Sequence, residues 1–482
     1  MKFEMIRFRH IAAALMMAAS GVATAQDNLL PMMREVPQSR SANPAIAPAC
    51  GGHISFPALN IKAGVANGFT WDDLFTRSPK TDSLNFDLDK LSDNMPTRSL
   101  TSVGVSDVLL GFGFTVKGKT HVTLELVNKT TFGVVIPRSI LDLRYGNWDF
   151  DGDRPVRRSI TDIDISASNY MEIALGGSHR INDQWRVGLT LKYLAGLVAA
   201  KTNRFSIDIN NYRDGVNYMM DVLTHADITV SAPLDVTLDE NGDVSSVEFD
   251  DDDLGDKLKP FKNNGFAIDL GVLYKPMDNL EVGASLIDLG SINWKQTVQR
   301  FYAESDFRFS GLNVNDAIED PDFVREDSYY SELQDSLEQA IKFKYEEQSA
   351  SFKTKLPTQL LLTARYTPYK WLDAGFLTRM RWVEERLQTH VGLSAGVHAG
   401  SVLTAMLSAG YNTGRYLNVG AGMVLRGGPV QFHLLTDNLS GLIKPTKAHG
   451  VDVRFGINFL IGRRRLEKAA KAQAETVSVS VD

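Results

Sequence analysis

Three short strings in this chain carry residue types able to do chemistry. In Gly392-Leu393-Ser394-Ala395-Gly396 a serine sits between glycines, with His390 and His398 close by. That is the spacing of a hydrolase nucleophile elbow, where a sharp strand-to-helix turn presents a serine to an imidazole base. Here Val391, Leu393, Ala395 and Val397 alternate straight through the string. It therefore reads as strand, with Ser394 a small residue on the strand's polar face. Asp149-Phe150-Asp151-Gly152-Asp153 hints at a calcium loop, but such a loop needs glycine sixth and glutamate twelfth. Gly152 is fourth and Ile160 twelfth, so an Asp/Gly turn is the better account. Asp239-Glu240-Asn241-Gly242-Asp243 is an Asn-Gly hairpin signal, and Asp250–Asp253 reads as a solvated acidic loop. Cys50 is the single cysteine, without a disulfide partner or thiol companions for structural zinc. The sequence offers no assembled catalytic set, no metal site and no cofactor motif, so no enzyme is expected.

The elements carrying these strings follow a period of two. In Gly450–Gly462, Val451, Val453, Phe455, Ile457, Phe459 and Ile461 share one face, while Asp452, Arg454, Gly456 and Asn458 share the other. Successive side chains of a strand point to opposite faces, so this is a ribbon with an apolar side and a polar or small side. The same pattern recurs in Leu417–Arg426, Leu403–Asn412, Leu372–Trp382 and Trp185–Leu197. Arg180–Gln184, Lys275–Asn279, Thr367–Lys370, Asn412–Arg415 and Arg426–Pro429 separate ribbons with turn-forming residues at hairpin spacing. Ribbons of roughly ten residues joined by short turns are the signature of an antiparallel transmembrane barrel.

A soluble β-sandwich also alternates, with its apolar face turned into a core. Two features favour the membrane. The polar face mixes Gly, Ser and Thr with isolated charges, as a lumen would. Trp185, Tyr274, Tyr366, Trp371, Trp382, Tyr411 and Tyr416 sit near ribbon ends, where interfacial aromatic girdles belong. The net charge of −7 leaves no basic footprint for nucleic acid.

Composition divides the chain further. Met1–Ala25 has a basic start at Lys2, Arg7 and Arg9, an apolar run from Ile11 to Ala19, and Ala23-Thr24-Ala25 before Gln26. That is the build of a secretory signal peptide, cleaved near Ala25. Beyond it no apolar run is long enough for a transmembrane helix. Residues 26–50 carry Pro31, Pro37, Pro44 and Pro48 and read as an irregular N-terminal arm or plug. Residues 51–462 form the barrel, and 463–482 a charged periplasmic tail, either solvated or docking to a partner or headgroups. Within the barrel, Thr76–Arg98 is irregular apart from a short helix near Leu84–Leu91. From Ser328 to Tyr345, after the acidic stretch Asp316–Asp327, Leu333, Leu337 and Ile341 recur at i+4, predicting an amphipathic loop helix that is a lid over the mouth or an inert segment.

Several strings carry a family likeness. They include Asn43-Pro44-Ala45, Ile54–Leu59, Asn67–Leu74, Tyr170–Leu197 with Gly176-Gly177 and Trp185, Leu434–Leu439 and Gly456-Ile457-Asn458-Phe459. Over about residues 43–462 the chain resembles an outer-membrane barrel family of Bacteroidota known as a domain of unknown function. More distantly it is similar to long-chain fatty-acid transporters and to the barrel subunit of the type IX secretion system. The resemblance implies about 14 strands (range 12–16) in an all-β fold; no ligand-binding residue carries over. An even strand number with both termini periplasmic is expected.

By parity, Arg186, Lys192, Asp269, Glu281, Arg365, Asp373, Arg379, Arg381, Arg426, Asp452 and Arg454 fall on the polar, lumen-facing side. Charges out of water must pair or meet water, so they either lace a narrow barrel with salt bridges or line a path for a polar solute. The expected function is a non-enzymatic barrel of the Gram-negative outer membrane that binds or passes a solute, a hydrophobic one on the distant resemblance. The alternative is an anchor in a surface-assembly or secretion complex. Expected partners are outer-membrane lipid, barrel-assembly and periplasmic chaperone machinery, and an envelope protein in the second case.

Overall fold

The computed structural model describes residues 28–78, 83–145, 148–149, 152, 154–214, 217–250, 261–309, 342–347, 350–383, 386–412 and 417–462. The period-two ribbons close into one antiparallel ring of 14 strands. In chain order they are β1 (Gly52–Ala66), β2 (Arg98–Val116), β3 (Thr120–Pro137), β4 (Asp164–Arg180), β5 (Trp185–Asp214), β6 (Asn263–Met277) and β7 (Leu280–Trp294). They continue with β8 (Gln359–Tyr369), β9 (Leu372–Val383), β10 (Arg386–Ala399), β11 (Leu403–Asn412), β12 (Leu417–Gly427), β13 (Val430–Thr436) and β14 (Gly450–Ile461). Each strand pairs with the next. β14 returns to β1, with Gly52 opposite Ile461 and Ala66 opposite Gly450. Closure leaves no unpaired edge for lipid to meet.

Short turns join β2 to β3, β4 to β5, β6 to β7, β8 to β9, β10 to β11 and β12 to β13, all at the end where β1 begins and β14 finishes. Gly118, Gly400 and Gly428 take positive φ there, as tight turns require. This is the turn end; the longer connections lie at the opposite loop end, the arrangement of outer-membrane barrels. Both ends of the ring at one side explain its even count.

The outer face is apolar. Leu393 and Leu407 are 66% and 60% exposed, and each such side chain moved from water into hydrocarbon contributes about 1.5–3 kcal/mol. Among the described residues no helix is long and apolar enough to cross a membrane; strands make the crossing. Trp185 stacks on Tyr274 at 4.4 Å, and Tyr369 on Trp371 at 5.7 Å, near the turn end. Trp382 and Tyr411 are exposed nearer the loop end, while Tyr416 lies outside the described residues.

β1 departs from regularity at Phe56–Leu59. Its ladders to β14 and β2 both slip after Ser55, where Pro57 has no N–H to give. Asn60 mends part of the gap, its Nδ2 donating to Ile457 O at 2.9 Å.

β5 outruns the ring. Residues 199–214 pair with Asn217–Ser231, which pairs with Val298–Phe309, which in turn pairs with Lys344–Glu347. This ribbon corrects the end of the expected Ser328–Tyr345 helix. Lys344 and Tyr345 are strand, held by an available strand edge and by the Phe301–Tyr345 ring contact at 5.7 Å. Leu333, Leu337 and Ile341 lie outside the described residues, as do Met1–Ala25 and Arg463–Asp482. The helix expected near Leu84–Leu91 is also shifted. Leu84–Phe86 pairs with Phe75–Arg77 as strand, and the helix, α2 (Leu88–Asn94), starts after Asp87, whose side chain caps Lys90 N. Two shorter helices, α1 (Trp71–Leu74) and α3 (Leu439–Ile443), also sit at the loop end.

Candidate functional site: the plugged lumen

Residues 28–50 run inside the ring. Prolines at 31 and 37 open two short 3-10 turns, Leu30–Met32 and Pro37–Ser41, and the segment adds no strand to the wall. Leu29, Leu30, Met32, Met33 and Val36 pack against Ile287, Leu361, Leu377, Met406, Val424 and Leu435 from six strands. The inner face is therefore not uniformly polar, because at the level of the arm it supplies half of an apolar core.

Glycines on the inner face make room for the arm. A Cβ on Gly188 would lie 2.2 Å from the Ala45 backbone N, and one on Gly271 would lie 2.1 Å from Asn43 Oδ1. Any side chain there collides with arm backbone or with a fixed amide.

Polar contacts complete the seat. Asp437 accepts the N–H groups of Asn28 and Leu29 at 2.8 and 2.9 Å. Arg34 pairs with Glu281 at 2.9 Å. Gln38 and Asn458 exchange amide hydrogen bonds at 2.8 and 2.9 Å. Ser285 Oγ donates to Ala42 O at 2.6 Å. The Glu35 carbonyl accepts from Arg426 at 3.2 Å and from Gln431 at 3.0 Å, while its carboxylate accepts from Thr404 Oγ1 at 2.5 Å. A chain of charges runs from wall to arm here. Arg365 Nε donates to Asp373 at 2.8 Å, His398 Nε2 lies 2.8 Å from the same carboxylate, and His398 Nδ1 lies 3.6 Å from Glu35. A recess of about 60 Å³ opens beside Glu35, His398, Thr404 and Arg426.

Nearer the loop end lies a buried charge cluster. Lys192 (β5) reaches Asp269 (β6) at 2.7 Å, Asp288 (β7) at 2.5 Å and Glu172 (β4) at 3.7 Å. Lys129 (β3) holds Glu172 at 2.7 Å and stands 3.7 Å from Asp288. Asp288 arrives through a bulge. The β6–β7 register slips between Ile268 and Leu270, and Asp288 takes φ 58°, rare for a residue with a side chain. The bulge lets Ile287 and Asp288 both turn inward, and Asp288 N–H donates to Asp269 at 2.7 Å. Beyond the cluster, Tyr170, Leu194, Ile292, Trp294 and Leu356 form an apolar group, with Trp294 Nε1 donating to Thr354 Oγ1 at 2.8 Å.

The eleven charged residues singled out by parity are thus dispersed among several partners. Lys192 meets Asp269, and Arg365 meets Asp373. Glu281, Arg379 and Arg426 instead hold the arm, Arg379 through Asn28 Oδ1 at 2.6 Å. Asp452 accepts the Asp437 N–H at 2.7 Å. Arg186, Arg381 and Arg454 are half-buried, with Arg186 opposite the buried Leu273. Lys129, Glu172 and Asp288 escaped sequence reasoning. The first two stand on strands whose outer faces alternate weakly, and the bulge that turns Asp288 inward breaks parity.

β10 runs unbroken through Ser394, so no nucleophile elbow forms. His390 bonds Asn412 at 2.8 Å, and Ser394 Oγ lies 2.4 Å from where a Gly375 Cβ would sit. Among the described residues no group of three or more His, Cys, Asp or Glu side chains is placed to hold a metal.

Residues 44–437 match the family described as "Family of unknown function (DUF5723)". No curated protein matches the chain. Among solved structures it is similar to the TodX deltaS2S3 mutant monoaromatic hydrocarbon channel, at 9% identity over 88% of this chain and 92% of that one, TM-score 0.40. It is similar to the Pseudomonas putida toluene transporter TodX, at 9% identity over 87% and 92%, TM-score 0.39. A Pseudomonas aeruginosa FadL homologue is 10% identical over 91% and 97%, TM-score 0.38.

Proposed function

We propose a function on the premise that the chain belongs to the DUF5723 family of unknown function. It is a non-enzymatic outer-membrane barrel that binds or passes a solute, and the arm of residues 28–50 is the plug that governs passage. One observation carries this reading. The arm fills the turn-end part of the lumen through side-chain contacts and glycine sockets, yet contributes no strand to the ring. Its release would leave every ladder bond of the wall in place. A plug that is separable from its wall can serve as a gate.

The solute class rests on one support: the sequence resembles long-chain fatty-acid transporters, which favours a hydrophobic solute. The rival is an anchor in a surface-assembly or secretion complex, favoured by the ribbon of residues 199–214, 217–231, 298–309 and 344–347 that extends past the ring.

The test removes residues 28–50 from the exported chain and measures liposome swelling. Faster solute entry with a correctly inserted barrel is the expected result; unchanged permeability would overturn the gate. Crosslinking and purification address the rival, which gains if a stable multiprotein complex forms with no solute-dependent phenotype.

A further inference from the structure

The loops at the loop end of β14, β1 and β2 form a connected cap. Lys447 stands 3.7 Å from Asp72, Arg144 pairs with Asp89 at 2.9 Å, and Asp87 N–H donates to Leu74 O at 2.9 Å. These contacts bind α1, α2, the 138–145 turn and the segment after α3 into one surface. Five large apolar side chains stand out from it. Trp71 is 55% exposed, Leu84 61%, Phe86 58%, Leu442 49% and Ile443 67%. On a surface bathed by water that exposure has no compensation.

The height of this cap identifies what covers it. An apolar band about 25 Å tall takes roughly 9–11 tilted strand residues. β14 has 12 residues, starting at Gly450 opposite Ala66 and ending at Ile461 by the turn end. The band therefore runs out near Val451, which lies eight residues after Ile443, while Trp71 lies five residues past Ala66 at the end of β1. On the opposite arc β5, with 30 residues, continues far past that level. The cap lies low, continuous with the lipid-facing wall, whereas the ribbon stands clear of it. A tryptophan with its N–H toward water and its ring toward lipid suits this depth. So do the exposed Lys444 and Lys447 that follow α3, since a lysine can lay its stem along apolar surface and carry its ammonium group to the headgroups.

We propose that this cap is embedded in the headgroup layer of the outer leaflet, through Trp71, Leu84, Phe86, Leu442 and Ile443, as a one-sided interfacial anchor. The occupant is lipid rather than a second protein.

Spin labels test it in the full-length barrel purified into lipid nanodiscs. In a Cys50→Ser background, Trp71→Cys and Ile443→Cys report the cap, and Glu240→Cys at the exposed polar tip of the 234–249 hairpin serves as a water-exposed control. Heat-dependent mobility on gels confirms that each variant is folded. Oxygen collisions severalfold above those of a water-soluble nickel chelate at 71 and 443, with the reverse at 240, is the expected result. Nickel dominance at 71 and 443 would place the cap in water and overturn the proposal. Shielding from both reagents would show a protein cover and overturn it equally.

Discussion

The N–H of Asn28 donates to Asp437 Oδ2 at 2.8 Å, joining residues 409 positions apart in the chain. The adjacent N–H of Leu29 takes the other carboxylate oxygen, so one side chain at the end of β13 fixes the head of the arm. Buried hydrogen bonds to a charged group contribute about 1.5–3 kcal/mol each. Asp437→Ala is expected to speed hydrogen exchange at Asn28–Val36 while wall amides keep their protection. Equal protection in variant and parent would show that the arm is anchored elsewhere.

Lys192 is the hub of the charge cluster, and its loss leaves Asp269, Asp288 and Glu172 facing one another with Lys129 alone. Removing one member of a buried ionic set costs about 3–5 kcal/mol. Lys192→Met should lower the thermal unfolding temperature of the detergent-solubilised barrel. Adding Asp269→Asn should recover part of the loss. A double variant no more stable than the single one would argue against direct pairing.

Gly271 and Gly188 offer a way to expel the arm without deleting it. A valine at 271 meets Asn43 Oδ1 and Pro44 at once, and the wall ladder there is backbone-only and survives. Liposome swelling should rise toward the level of the arm-deleted barrel, with insertion unchanged. A variant that inserts normally but swells no faster would mean that the arm reseats.

Asp87 lies on an exposed loop, outside the strands. The Thr76 hydroxyl, then the Lys90 N–H, hold its carboxyl below the ordinary carboxylate range. A depressed value means that the ionised form favours the folded loop. The stabilisation is present above the usual carboxylate pKa and disappears as pH falls through the lowered one. Pepsin cutting within residues 67–97 should therefore increase at the acid end of the titration. Asp87→Asn should flatten that dependence, and an unaltered profile would detach the cap from this residue.

Much of the wall was legible because its outer face must satisfy lipid at every second position. Gly450–Ile461 and Leu403–Asn412 show this directly. The arm was legible only as a proline-rich segment, an arm or a plug, since the residues that receive it break the rule that reveals the wall. Leu377, Met406 and Val424 are apolar on the side otherwise filled by Gly, Ser, Thr and charge. Those interruptions are the imprint of the arm, and by pattern alone they look like noise. The charge cluster was half legible. Lys192 and Asp269 follow parity, while Asp288 depends on a bulge whose cause lies in tertiary pairing. Strand edges also competed with helix periodicity, and Lys344–Glu347 settled as strand.

The reach of the arm has a consequence for the order of events during biogenesis. Gln38 needs Asn458 of the last strand, and Asn28 and Leu29 need Asp437 just before it. Asn28 and Leu29 thus find Asp437 only after β13 has been made, and Gln38 finds Asn458 only after the last strand. The arm's own regular structure is two short proline-led turns. A segment so poor in autonomous order stays out of the way of a sheet still growing. Its docking then marks the moment when the barrel is complete.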